Sequence, residues 1–353
     1  MKRPTIAITM GDPFGIGPEI TVKALADPGI YEICRPVVIG SRPVMEYVLA
    51  LLEKTAGICL KLHVICEPSQ GEYRHGVLDL IDLGVPGRED FAADPNKAEA
   101  KLYEKGATRA GGEAGYRYVE KAIALAMAGE VDGTVTNPIS KEALHMAGHR
   151  FAGHTEIYAK LTGTKSYAMM LSDGDLRVIH VSTHVSLREA CDRVKKARVL
   201  ECIRLADEAM KKMGMEHPKI GVAGLNPHAG ENGLFGTEET EEILPAIHAA
   251  REEGILAEGP LPPDTAFSKA RGGWYDIVVV MYHDQGHIPL KTVGFVYDRE
   301  KKSWEAVRGV NVTLGLPIVR TSVDHGTAFD QAGLGTASEL SLIHAIRYAC
   351  ALC

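Results

Sequence analysis

Fourteen histidines are spread over the 353 residues, and several stand in polar, glycine-bounded settings where a packed core histidine would be out of place. Gly153-His154-Thr155-Glu156 opens a helical pattern. Val181-Ser182-Thr183-His184-Val185 puts a histidine near the end of an alternating strand. Asn226-Pro227-His228-Ala229-Gly230 follows the apolar run Lys219–Ala223, and Tyr282-His283-Asp284-Gln285-Gly286-His287 follows Ile277–Met281. Both runs read as buried strands, and ligands of open α/β sheets gather beyond strand C-termini. Neutral imidazole is a common ligand of transition ions. Three histidines on separate loops would hold one ion and leave positions open for substrate, the catalytic arrangement. His283 and His287 also have the i,i+4 spacing of a helical metal pair, although Gly286 between them argues against a regular helix. From these residues alone, a metal centre and a polar site without metal stand equally open.

A second constellation lies at the N-terminus. Gly11-Asp12-Pro13-Phe14-Gly15-Ile16-Gly17-Pro18-Glu19 links the first strand to a helix. Pro18 suits a first helical turn, and glycines let backbone approach a ligand. Free N–H groups there could receive an anion. The GxGxxG dinucleotide spacing is absent, so a ligandless tight turn is an equal reading.

These groups need a scaffold. Ile6–Thr9, Pro36–Ile39, Gly133–Thr136, Lys219–Ala223 and Ile277–Met281 are short, branched runs bounded by turn residues and predict strands. Helical patterns cover Gly17–Ala26, Val44–Lys54, Ala114–Ala128, Val194–Met213 and Thr237–Glu253. Such alternation predicts an α/β fold with largely parallel sheets flanked by helices. Gly87–Lys105 reads as a polar surface excursion, and Tyr297–Val307 as a hairpin or loop insertion. A net charge of −7 argues against a nucleic-acid footprint, and the short basic clusters are helix faces mixed with acids. No apolar run reaches membrane-span length and no signal peptide is recognisable. Seven scattered cysteines without a CxxC pair fit reduced thiols, so a cytoplasmic protein is expected.

The ordered motifs Met10–Glu19, Thr136-Asn137-Pro138-Ile139-Ser140-Lys141, Gly153–Glu156, Leu225–Glu231, Met281–Gly286 and Gly309–Ala328 span nearly the whole chain. In them the sequence resembles the 4-hydroxythreonine-4-phosphate dehydrogenases of pyridoxal phosphate (pyridoxine) biosynthesis. The resemblance implies a two-domain fold like isocitrate and isopropylmalate dehydrogenases. Residues 1–138 with 262–353 would form a cofactor-side domain, and 139–261 a central metal, substrate and dimerisation domain. It implies a homodimer with active sites at the subunit interface, NAD as cofactor, and one divalent metal per subunit, with Zn, Mg, Mn, Co and Ni all open. Metal ligands fall on His184, His228 and His283. Substrate contacts fall on His154, Thr155, Lys291, Asn311 and Arg320. Asp264 and Lys291 are the candidate bases. The segment from Asp324 to Gly333 looks like the adenosine-side loop of isopropylmalate dehydrogenases and assigns His325, Gly326, Ala328 and Asp330 to NAD.

The activity so implied is oxidation and decarboxylation of 4-phosphooxy-L-threonine to 3-amino-2-oxopropyl phosphate and CO2. Three features depart from the biosynthetic pattern: Phe14 in the N-terminal turn, the Tyr297–Val307 insertion, and His287 in Gly286-His287-Ile288-Pro289-Leu290-Lys291. The last, with Thr183–Leu187, is closer to the branch of carbohydrate metabolism acting on D-threonate or D-erythronate 4-phosphate, which yields dihydroxyacetone phosphate and CO2. Remoter alternatives are a three-histidine metal-dependent hydrolase and a non-catalytic phosphometabolite-binding protein.

Overall fold

The computed structural model describes residues 3–86, 106–294, 297–299, 303–304 and 309–353. The excursion expected over Gly87–Lys105 lies outside the described residues, apart from its neighbours at either side. The chain starts β1 (Thr5–Thr9), α1 (Gly17–Leu25), α2 (Pro28–Ile33), β2 (Arg35–Gly40), α3 (Arg42–Ala56), β3 (Lys61–Ile65) and β4 (Val77–Asp82). There follow α4 (Arg109–Met127), β5 (Gly133–Thr136), α5 (Lys141–Met146), α6 (His154–Thr162), β6 (Ala168–Asp173) and β7 (Leu176–His180). Next come α7 (Leu187–Asp192), α8 (Lys196–Lys212), β8 (Ile220–Ala223), α9 (Leu244–Glu252), β9 (Ala257–Leu261) and α10 (Pro263–Arg271). The chain closes with β10 (Ile277–Val280), α11 (His283–Gly294), β11 (Tyr297–Asp298), β12 (Ser303–Trp304), β13 (Val310–Leu314), β14 (Val319–Val323) and α12 (Leu340–Leu352).

This is the α/β alternation that the sequence predicts, gathered into two compact units. The first is Met1–Lys165 with Leu316–Ala351 and Cys353; the second is Ser166–Gly315 with Leu352. The borders therefore fall later than the 138/139 and 261/262 expected. Packing explains the shift. Leu144 on α5 and Ile157 and Tyr158 on α6 are buried against Val119 and Ile123 of α4, which ties both helices to the first unit. Strand β10 lies between β7 and β8, which keeps it and α11 in the second.

In the first unit the strand order is β3-β4-β2-β1-β5-β14, parallel throughout. Ile6, Ala7 and Ile8 of β1 are fully buried, as expected of a strand covered on both faces. The loops leaving β1, β5 and β14 thus emerge side by side. In the second unit the order is β13-β6-β7-β10-β8-β9. Strands β7, β10, β8 and β9 are parallel, while β6 runs antiparallel to both its neighbours, β13 and β7. Ile277 to Val280 are fully buried, each contributing about 1.5–3 kcal/mol of apolar transfer free energy.

Two local expectations change. Residues 283–294 are helical despite Gly286 and Pro289. Gly286 is required by packing there: a Cβ would lie 2.6 Å from His180 Nε2 and 2.9 Å from Val280 Cγ2. The helix predicted over Thr237–Glu253 divides into a π-helical turn, Glu239–Ile243, and then α9. Pro245, in the first turn of α9, has no N–H to donate backward, which favours such a change of hydrogen-bond register. The Tyr297–Val307 insertion does carry a hairpin, β11 pairing antiparallel with β12.

Candidate active site

Strand order positions the candidate groups. In the second unit, His184 follows β7, His283 follows β10 and His228 follows β8, and these three strands are neighbours. The rings of His184 and His283 have centroids 5.6 Å apart, close enough for both to reach one ion. They line a cleft of about 660 Å³ together with Thr183, Val185, Leu187 and Tyr282. Asp284 Oδ1 lies 2.6 Å from His283 Nδ1, which engages that nitrogen and leaves Nε2 as the one an ion could use.

His228 stands on a turn of its own. It opens a run of left-handed residues, with φ of 53°, 54°, 76°, 43° and 56° from His228 to Asn232. Left-handed turns cost non-glycine residues on the order of 1–2 kcal/mol each, so neighbours must impose this one. Glu239, 2% exposed, does so. Its Oε1 accepts the N–H groups of Leu225 and Asn226, both at 2.7 Å, and its Oε2 accepts Asn226 Nδ2 at 2.9 Å. A Cβ on Gly230 would sit 2.6 Å from that Oε2, so only glycine fits. Helix α10, whose first turn holds the exposed Asp264, packs on this turn. Among the described residues, no three His, Cys, Asp or Glu side chains are gathered as a metal-binding group.

His287 and Lys291 follow His283 at helical i,i+4 spacing, so all three share one face of α11. The His283 and His287 rings stack at 3.6 Å, and His180 lies 4.9 Å from His287. Sequence reasoning passed over His180 because it ends a buried strand. Its Nδ1 engages Met169 O at 3.1 Å, while its Nε2 is buried without a hydrogen-bond partner. Burial, and then the neighbouring His287 ring, push its pKa down to about 3, and burial first pushes that of His287 down to about 4. Asn311 lies on β13 with a buried Oδ1 that has no hydrogen-bond partner.

In the first unit, Arg320 is the second residue of β14, 2% exposed. Its Nη2 donates to Thr136 Oγ1 at 3.0 Å and its guanidinium lies 5.6 Å from the Tyr158 ring centroid. Burial lowers its pKa to about 10, which still leaves it charged at neutral pH. His154 opens α6 as predicted, with Thr155 beside it. Burial, and then the Arg320 charge, hold its pKa well below 6.5, and its Nε2 is sealed from solvent without a partner. A buried cation beside a neutral imidazole with an unused nitrogen suits an anionic group.

The candidate cofactor loop leaves the C-terminal end of β14. His325 Nδ1 engages Gly326 O at 3.0 Å, and its Nε2 is buried without a partner. Open space surrounds the position a Gly326 Cβ would take, and Ala328 has a φ of 43°. Asp330 is exposed. An unpaired buried nitrogen beside open backbone, past the end of a parallel strand, fits a bound nucleotide.

Residues 32–349 match the family described as "Pyridoxal phosphate biosynthetic protein PdxA". The D-threonate 4-phosphate dehydrogenase of Pectobacterium atrosepticum is 47% identical over 98% of both chains. The 4-hydroxythreonine-4-phosphate dehydrogenase of Desulforapulum autotrophicum is 46% identical over 99% of this chain and 95% of its own. The crystal structure of the 4-hydroxythreonine-4-phosphate dehydrogenase of Klebsiella pneumoniae superposes with a TM-score of 0.82 at 41% identity, covering 99% of this chain and 98% of that one. With its fold shared and nearly all of its length matched, this chain belongs to the PdxA family of dehydrogenases.

Proposed function

We propose that the protein is an NAD-dependent, divalent-metal-dependent dehydrogenase that oxidises the 3-hydroxyl of a 4-phosphorylated 3-hydroxy acid and releases its carboxylate as CO2. The observation that carries the anionic substrate is the buried Arg320 beside His154, whose Nε2 is sealed and unpartnered. His154, Thr155, Lys291, Asn311 and Arg320 bind substrate oxygens. His184, His228 and His283 hold the ion, which supplies Lewis acidity when bound. The 5.6 Å approach of the His184 and His283 rings supports that reading for two of the three. His325, Gly326, Ala328 and Asp330 receive NAD, the hydride acceptor.

The chain's own groups divide the work. Lys291 or Asp264 takes the hydroxyl proton as hydride leaves the same carbon. The resulting 3-keto acid then breaks its C1–C2 bond, and a proton fills the position vacated by CO2. The anion contacts fix the substrate so that both steps occur in one orientation.

For the substrate itself we favour D-threonate 4-phosphate over 4-phosphooxy-L-threonine, the reading the biosynthetic motifs suggest first. His287, one of the three departures from the biosynthetic pattern, stacks directly on His283, and relatives named for D-threonate 4-phosphate match over 98% of the chain. The second reading keeps the support of the Desulforapulum relative. NADH formation by metal-reconstituted protein, with each substrate and with chelator, decides between them. Chelator-sensitive turnover of the sugar acid alone is the expected result. Turnover of the amino acid alone transfers the assignment, and NADH from neither overturns the dehydrogenase reading.

A further inference from the structure

The N-terminal motif read equally well as a ligandless turn or an anion cradle, and its contacts point elsewhere. We propose that Glu19 is a positioning residue for the nucleotide, clamping from behind the loop that carries His325, Gly326, Ala328 and Asp330. The inference rests on the reading of that loop as the cofactor site.

Glu19 lies on α1 and is fully buried. One carboxylate oxygen accepts the N–H of Gly333, and the other accepts that of Gly335 at 2.8 Å. Two further bonds come from the same helical stripe. Ile16 N–H donates to Thr327 O at 3.0 Å, and Lys23 Nζ donates to Ala337 O at 2.7 Å. Residues 16, 19 and 23 are spaced to share one face of a helix, so a single stripe grips the segment at 327, 333, 335 and 337. Gly15 permits the approach, since a Cβ there would lie 2.8 Å from Thr327 O.

The gripped segment has no strand or helix of its own between β14 and α12. Its shape therefore depends on such bonds, with a local turn in which Gln331 N–H donates to Ala328 O at 2.9 Å. Gly333 and Gly335 both have positive φ, 84° and 66°, and present their N–H groups to one acceptor. A carboxylate meets both donors at once; an amide in its place offers one oxygen and leaves the other N–H buried and unsatisfied. Burial raises the Glu19 pKa, while the two N–H bonds and then the Lys23 charge oppose that rise. What the clamp orders is the stretch just before it, where His325 keeps an unused buried nitrogen.

The test compares wild type with Glu19→Gln, His325→Ala and Asp330→Ala by calorimetric titration of NAD and, separately, of inorganic phosphate. Amide exchange over 324–337 and melting temperature are followed alongside. Glu19→Gln should weaken NAD binding about tenfold, the size of a lost hydrogen bond to a buried charge. Exchange at 333 and 335 should accelerate, while phosphate affinity stays within twofold (~0.4 kcal/mol). A folded Glu19→Gln protein that binds NAD as tightly as wild type overturns the proposal. If His325→Ala and Asp330→Ala also bind NAD normally, the cofactor-loop reading fails with it; if they weaken NAD and Glu19→Gln does not, only the positioning role fails. Should Glu19→Gln not fold, Lys23→Met replaces it. It should weaken NAD about threefold by releasing Ala337, and unchanged affinity overturns the proposal.

Discussion

Arg320 is an unusual residue for a buried strand, and the cost of its burial is met by partners of two kinds: a hydroxyl on Thr136 and the face of Tyr158. Lysine keeps the charge but not the planar fork. Arg320→Lys should therefore raise the KM for the phosphorylated substrate by roughly thirtyfold, about 2 kcal/mol, in steady-state assays. His154 has a signature in stability. Its folded pKa lies below 6.5, so as pH falls through about 6.5 the unfolded chain takes up a proton that the folded chain refuses. Stability from this group is complete above that pH and is lost as the pH is lowered. Denaturant titrations between pH 7.5 and 5, values chosen to bracket that pKa, should show a shallower pH slope in His154→Gln than in wild type. Equal slopes would place the ring in water.

Among the elements, glycines and acids decide more than propensity does. Gly286→Ala in an ordinary helix would add up to about 1 kcal/mol of stability. On α11 the added methyl meets His180 and Val280, and the variant should instead lose about 1–3 kcal/mol in urea melts. Glu239→Ala removes three accepted bonds from the His228 turn. The metal-depleted variant should bind Zn2+ at least about tenfold more weakly, with a loss of stability on the order of 2 kcal/mol. Unchanged Zn2+ affinity would show that the turn does not set the ligand. The sequence revealed elements where one signal dominated, as in Ile277–Val280, where every residue is branched. It hid β14 because Arg320, Thr321 and Ser322 interrupt its apolar run, and hid α11 because Gly286 and Pro289 are usual helix breakers whose reason lies in a neighbouring strand. Glu239 was invisible for a related cause. It stands in Thr237-Glu238-Glu239-Thr240-Glu241-Glu242, which reads as a solvated acidic face until the turn folded over it is seen. The candidate histidines were legible from their glycine-bounded loops, whereas His180, Thr136 and Tyr158 were not, since each sits inside a regular element.

At the scale of the molecule, Leu187, Leu234, Phe235 and Ile288 are 62%, 71%, 47% and 62% exposed, all close in sequence to the candidate metal ligands. Such apolar side chains would be covered in the proposed homodimer. The proposed homodimer predicts that Leu187→Glu and Ile288→Glu shift sedimentation toward the monomer and remove activity together. Among the described residues no helix is long and apolar enough to cross a membrane. The first unit draws on both ends of the chain: Thr134 donates to Val319 O across a separation of 185 residues, and β14 closes against β5. On a ribosome, β1 to β5 therefore emerge long before the strand that completes their sheet, and must wait with the β5 edge uncovered while the second unit is made. That interval is when the protein is most open to pairing with a wrong strand. It ends only once β14 has left the tunnel, so Arg320, His325 and the loop gripped by Glu19 come together only after the second unit has been made.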